Sequence, residues 1–396
     1  MNKFVRTSSV AGGVITALLM LGCGGQDKST PAAASPAIEA AVEATENAPL
    51  TLKGKFSESF LIGTALNRAQ ILDKEAGALA LVTEQFNAVT PENVLKWERI
   101  NPNPGEYHFD APDQLVAFAN AKGLFLVGHT LVWHSQVPDW VFEYEDGSLL
   151  NREELLARMR THIEAVAGRY QGKIEAWDVV NEALNEDGSL RDSKWRQIIG
   201  DDYIVQAFKI AAEVLPNAKL YYNDYNLFKP EKRQGVIRLV RSLQAQNIRI
   251  DGVGLQGHYA LDYPDLSQLE DSVKAYAALG VDVMITELDV SVLPFPDEEN
   301  QGADVSLNIA LQEQYNPYPD RLPEAVKVAL ADRYRQIFEV LHRNREHIGR
   351  VTFWGVHDEQ SWRNDWPMKG RTDYPLLIDR DRQLKPFVTT LASDAE

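Results

Sequence analysis

Ile174-Glu-Ala-Trp-Asp-Val-Val-Asn181 is an apolar run of strand character that stops at a polar residue and is followed at once by Glu182. A second run with the same ending, Met284-Ile-Thr-Glu287-Leu-Asp289, lies downstream. An ionised side chain beside a packed apolar run is costly unless it is paired or hydrogen-bonded, so two such placements ask for a reason. Outward from these two, further apolar runs recur at Phe60 to Ala65, Phe86 to Thr90, Leu124 to Trp133, Lys219 to Asn223, Gly252 to His258 and Val351 to Val356, and the second carboxylate run begins at Val281. Between them the sequence turns amphipathic, as in Leu155, Met159, Ile163 and Val166, or Ile204, Ala207, Phe208 and Ala211, with the three- and four-residue spacing of helices. Eight strands alternating with helices predict an α/β fold with a single (β/α)8 barrel. The competing open, doubly wound sheet loses its commonest dinucleotide-binding form, because no Gly-x-Gly-x-x-Gly run follows an early strand.

A barrel places its active site where strands end and the following loops begin. The polar residues collect there: Glu92 and Asn93, His129 and His134, Asn181 and Glu182, Asn223 to Asn226, Gln256 and His258, Glu287 and Asp289, His357 and Asp358. Cleavage of a glycosidic bond with retention needs one carboxyl that starts protonated and one carboxylate that attacks the anomeric carbon. Glu182 and Glu287, ending the fourth and seventh runs, supply such a pair across a barrel mouth. His258 and Asp289 are the candidates to orient Glu287 and keep it ionised, while Glu182 would be kept protonated by a drier setting or by the charge of Glu287. The bland alternative, that each Glu is half of a buried ion pair, stays open on residue pattern alone. Retention predicts carboxyl groups about 5–5.5 Å apart.

Lys96 and Gln256 add donors for sugar hydroxyls, and tryptophan supplies flat faces that cover the apolar side of a sugar ring. Trp133, Trp354 and Trp362 stand at or just after strand ends; Trp97, Trp140, Trp177, Trp195 and Trp366 complete the set, with Trp177 expected in the scaffold. A catalytic metal is not expected, since there is no His-x-His or His-Glu-x-x-His run and the spacing of His129 and His134 puts them on opposite faces of a strand. No Gly-x-Ser-x-Gly elbow is present. The long connection from Val290 to Pro323, with Pro294, Pro296, Pro317 and Pro319 and the acidic Asp297-Glu298-Glu299, is expected to wall the cleft; its acids lack EF-hand spacing.

The 396-residue chain carries a formal charge of −17. That balance disfavours nucleic acid and anionic lipid as partners and suits a neutral polysaccharide. Residues 1–22 read as an export signal, with Lys3 and Arg6 ahead of an apolar stretch from Val10 to Leu21. Met20-Leu21-Gly22-Cys23 resembles a bacterial lipobox, which implies lipidation of Cys23, the only cysteine. Residues 23–50, rich in Ala, Pro, Ser, Thr and Glu without an aromatic residue, are expected to be a flexible tether, leaving 51–396 as the catalytic barrel. The expected location is outside the cytoplasm, on a membrane through the lipid, with the outer membrane favoured because residue 24 is Gly and not Asp.

From about Phe56 to Leu391 the ordered motifs resemble the family 10 glycoside hydrolases, chiefly endo-β-1,4-xylanases. The matching runs are Thr90-Pro-Glu-Asn93 with Lys96-Trp97-Glu98, Gly128-His-Thr-Leu-Val-Trp-His134, Trp177 to Ala183, Tyr222-Asn-Asp-Tyr225, Gly254-Leu-Gln-Gly-His258, Ile285-Thr-Glu-Leu-Asp289 and Thr352-Phe-Trp-Gly-Val356. The resemblance implies a retaining endo-1,4-β-xylanase with Glu182 as acid/base and Glu287 as nucleophile, acting without a cofactor, and a monomer is expected. It also implies that Glu92, Asn93, Lys96, His129, Trp133, Asn181, Gln256, His258, Trp354 and Trp362 line the non-reducing side of the cut, with Asn181 on the 2-hydroxyl of the sugar being cleaved. Leu95 stands where the family commonly has Met, a volume-conserving exchange. A family member with another main β-glycan substrate, and a surface protein that binds xylan without cutting it, are the alternatives.

Overall fold

The computed structural model describes residues 50–295, 315–367 and 369–393. The expected signal, Cys23, nearly all of the expected tether and the acidic centre of the 290–323 connection lie outside the described residues. The strands are β1 (Leu61–Leu66), β2 (Ala88–Pro91), β3 (Phe125–Trp133), β4 (Ala176–Asn181), β5 (Lys219–Asp224), β6 (Gly252–Leu255), β7 (His258–Ala260), β8 (Asp282–Ser291) and β9 (Ile348–Phe353). All pairings are parallel, and eight strands close in the order β1-β2-β3-β4-β5-β6-β8-β9, with β9 back on β1. The short β7 pairs only with the far end of β8. This is the (β/α)8 barrel that the alternation of runs predicts.

Two differences from the expected strands bear on the site. The sixth run is broken between Leu255 and His258, where Gly257 takes φ +88°. Its neighbour β8 continues to Ser291, two residues beyond Asp289, where the second carboxylate run ends. The glycines of Gly252-Val-Gly-Leu-Gln-Gly257 have the spacing of a phosphate-binding fingerprint but serve packing here: a Cβ on Gly254 would lie 2.5 Å from the Asn223 amide oxygen.

Parallel strands are covered on both faces, so they read as continuous apolar runs. Inside the barrel Val127, Ala176, Tyr221 and Met284 form a small cluster against Phe125. The buried guanidinium of Arg350 sits 5.6 Å from the Phe125 ring and 5.9 Å from the Tyr221 ring. The larger core lies outside the strands, beneath helices such as Arg152–Val166, which buries Leu155, Met159, Ile163 and Val166, and Tyr203–Val214, which buries Ile204, Ala207, Phe208 and Ala211. Asn151 starts the first of these with a reciprocal cap to Glu154, satisfying helix N–H groups that otherwise lack partners. Trp177 is fully buried and lies flat on Gly128 of the adjacent strand, where a Cβ would stand 2.2 Å from its ring. Only glycine admits that approach.

Candidate active site

A cavity of about 540 Å3 opens at the C-terminal ends of the strands. Its walls include Glu92, Asn93, Lys96, His129, Trp133, Asn181, Glu182, Gln256, His258, Glu287, Trp354 and Trp362, so the barrel gathers these twelve sequence candidates at one place. Asp289 lies directly behind, fully buried.

β4 delivers the first carboxylate. Its register shifts between Asp178 and Val180, and a bulge of this kind re-aims side chains, so the adjacent Asn181 and Glu182 both reach the cavity. Glu182 accepts from Trp133 Nε1 at 2.9 Å on one oxygen, and from Gln256 Nε2 at 2.9 Å and Asn181 Nδ2 at 3.3 Å on the other. Burial pushes its pKa up, but the nearby His134, the Gln256 and Trp133 hydrogen bonds and Arg191 outweigh it, and the carboxyl stays below its ordinary value. Three donors already point at its oxygens, which favours the charged form in the unliganded site.

β8 delivers the second. Glu287 Oε1 accepts from Asn223 Nδ2 at 2.8 Å, and Oε2 lies 3.1 Å from His258 Nε2. The other imidazole nitrogen lies 2.9 Å from Asp289 Oδ2. Burial would push His258 down, yet Asp289 and Glu287 outweigh it and hold it at about 9. At neutral pH it is an imidazolium donating to both carboxylates. Asp289 is pushed up by burial, but Arg363 and His258, with hydrogen bonds from His258 and Trp362, bring it down to about 2. Trp362 Nε1 donates to Asp289 at 2.8 Å, and Arg363 adds bonds of 3.2 and 2.9 Å.

The two carboxylates stand in unlike settings: Glu182 is met by neutral donors, Glu287 by a neutral amide and a cation backed by a second carboxylate. They are also linked. Asn223 Nδ2 donates to Glu287 and, at 3.0 Å, to Asn181 Oδ1, while the Asn181 amide donates to Glu182.

The remaining wall is polar on one side and aromatic on the other. Asn93 donates to Glu92 at 3.0 Å and accepts from Lys96 Nζ at 3.0 Å, and that ammonium sits 4.9 Å from the Trp133 ring centre. Burial raises Glu92 against the pull of Lys96 and lowers Lys96 against Glu287, Glu92 and Glu182. His129 is fixed by Asp178 at 2.9 Å and meets Trp354 edge to face at 5.2 Å. Trp362 packs against His258 at 4.9 Å and stacks on Trp366 at 4.9 Å. Trp97 is instead buried, stacked on His162 at 3.6 Å.

The sequence profile of Glycosyl hydrolase family 10 matches residues 51–394. The chain belongs to family 10 of the glycoside hydrolases. The family is also that of a solved GH10 endoxylanase retrieved from sugarcane soil metagenome, which superposes with a TM-score of 0.81 at 42% identity over 87% of this chain and 98% of that one. Endo-1,4-beta-xylanase A of Xylanibacter ruminicola is 45% identical over 343 residues, 87% of this chain and 92% of the relative. The endo-1,4-beta-xylanase of Geobacillus stearothermophilus is 40% identical over 342 residues, covering 85% and 96%.

Residues that sequence reasoning left without a role complete this family 10 site. Asn223 bridges the carboxylates and stood in view at a strand end. Arg191, Tyr225, Arg363 and Trp366 also line the cavity. Arg191 arrives on a loop and Arg363 on a three-residue 3-10 turn, Trp362–Asn364, both too irregular for periodicity to mark the direction of a side chain.

Proposed function

We infer that this chain is a retaining endo-1,4-β-xylanase that hydrolyses internal bonds of xylan or xylo-oligosaccharides. The observation that carries this reading is the pair of carboxylates with unlike partners in one tryptophan-lined cavity, Glu287 buried and Glu182 partly so, and the xylanase names of the relatives supply the substrate. In the first step a carboxylate oxygen of Glu287 attacks the anomeric carbon as Glu182 gives its proton to the departing glycosidic oxygen. In the second, Glu182 takes a proton from water, whose oxygen attacks the anomeric carbon and releases Glu287. Asn181 is positioned beside Glu182 to bond the sugar 2-hydroxyl, and Glu92, Asn93, Lys96, His129, Trp133, Gln256, His258, Trp354 and Trp362 to hold the chain on the non-reducing side. Reducing-sugar release from xylan against cellulose, with and without EDTA, tests the reading. Activity on cellulose alone, or loss of activity with the chelator, would overturn it.

The donors around Glu182 hold its carboxyl below the ordinary value in the empty site, so the acid needed for the first step is favoured when substrate binding raises it. Displacing water from the cleft strengthens repulsion between the two carboxylates and favours that rise. The alkaline limb of kcat, which reports the bound enzyme, is expected at higher pH than the alkaline limb of kcat/KM, which reports the free enzyme. Coincident limbs in a pH series would show that binding does not move this proton.

The charge and the apolar stretch of residues 1–22, followed by Cys23, support a lipidated N-terminus with residues 23–50 as tether to a monomeric catalytic unit from residue 51, held at a membrane outside the cytoplasm. A C23S variant is expected in the soluble fraction on cell fractionation. Retention of C23S in the membrane fraction would exclude the lipid anchor.

A further inference from the structure

Glu182 has left-handed backbone, φ +55°, a conformation that residues with a Cβ adopt at a cost and keep only when surrounding bonds enforce it. Three bonds do so. Its N–H donates to the Asn223 carbonyl at 2.9 Å, the next N–H, of Ala183, donates to the Tyr222 hydroxyl at 3.1 Å, and its carbonyl accepts from Arg191 Nε at 3.0 Å. The first two come from the neighbouring strand. The third comes from a loop that doubles back through a bridge between Leu184 and Leu190, returning Arg191 to Glu182.

Arg191 is itself anchored. Its N–H donates to the Ala183 carbonyl at 2.8 Å, and Nη2 donates to the Tyr225 hydroxyl at 2.8 Å. The Tyr225 ring carries the Lys232 ammonium 3.6 Å from its centre, and that ammonium is fully buried and paired with Asp224 at 2.9 Å. A buried ion pair thus fixes the phenol, the phenol fixes the guanidinium, and the guanidinium fixes the peptide of Glu182. The fork of an arginine suits this task because one planar group reaches two acceptors at set angles.

We propose that Arg191 is a positioning residue for proton transfer: it bonds the main chain of Glu182 and holds the turn from which the carboxyl reaches the scissile oxygen. The proposal rests on the assignment of Glu182 as acid/base. Glycosides with good leaving groups depart without a proton, whereas phenyl glycosides and xylan need one, so a displaced acid harms the second group selectively.

The test compares R191M with wild type on phenyl and 2,4-dinitrophenyl β-xylobiosides, following kcat/KM. A loss of roughly 100-fold is expected with the phenyl substrate, the scale of a small misplacement of a catalytic group, and only a few-fold with the dinitrophenyl one. Equal losses on both, in a variant that melts cooperatively, would overturn the proposal. R191K keeps the charge without the fork, and should show the same leaving-group selectivity if R191M fails to fold; uniform behaviour of R191K would overturn it equally. E182A supplies the reference: if that variant shows no leaving-group selectivity, the acid/base assignment fails and the role of Arg191 falls with it.

Discussion

Replacing Glu287 by Gln should abolish turnover of xylan, with kcat reduced by roughly 10^4- to 10^6-fold, the range found when an enzyme loses its nucleophile. The exchange keeps shape and removes charge. Asn223 Nδ2 can still donate to the new amide oxygen from 2.8 Å, so the wall of the cavity should hold and oligosaccharide binding should persist. His258 loses one of the two carboxylates that keep it protonated, and Asp289 at 2.9 Å remains. Calorimetric titration of E287Q with xylo-oligosaccharides should therefore give binding without hydrolysis. Near-normal xylan cleavage by this variant would remove Glu287 from the mechanism, and lost binding with a normal melt would mean that the carboxylate holds substrate rather than attacking it.

The second large effect falls on stability. Asp289 accepts from His258, Trp362 and Arg363 with no exposure to solvent, and D289A would leave two cations, the buried Arg363 and the partly buried His258, without it. Removing one partner of a buried ionic network typically costs about 3–5 kcal/mol. The cost should depend on pH. Asp289, depressed to about 2, contributes stability that is complete above the ordinary Asp value near 4 and is lost as pH falls through about 2. His258, raised to about 9, contributes stability that is complete below about 6.5 and is lost as pH rises through about 9. The difference between wild type and D289A in urea unfolding should be widest between about pH 4 and 6.5 and narrow on both sides. A difference that stays flat from pH 3 to 9.5 would assign the loss to packing instead of charge. Activity should fall as well, because Glu287 is oriented through His258 and Trp362 is held by Asp289.

The barrel was legible because parallel strands hidden on both faces must be apolar along their length, and because polar residues at such strand ends have few other reasons to be there. Val283, Ile285 and Leu288 mark β8 as plainly as Glu287 marks its functional end. The break at Gly257 was not legible, since one glycine inside an apolar run signals a bulge, a close approach or nothing. Nor was Arg191: nine residues beyond Glu182, it returns only because the intervening loop folds on itself. Asn223 is intermediate. Its place at a strand end was visible, but its bonds to both Asn181 and Glu287 depend on Gly254 leaving room across the sheet. The donors around Glu182 were hidden for a related reason, because burial can be inferred from a strand, whereas Trp133 comes from β3 and Gln256 from just past the end of β6.

The interruption between β6 and β7 has a consequence for stereochemistry. Gln256, on one side of Gly257, bonds Glu182, and His258, on the other, bonds Glu287. Their Cα atoms are at most about 7 Å apart by covalent geometry. One tripeptide thus serves as a gauge laid across the two carboxylates. Both carboxylates therefore take a hydrogen bond from one short segment, which couples their spacing, the quantity that separates retention from inversion, to the covalent reach of three consecutive residues.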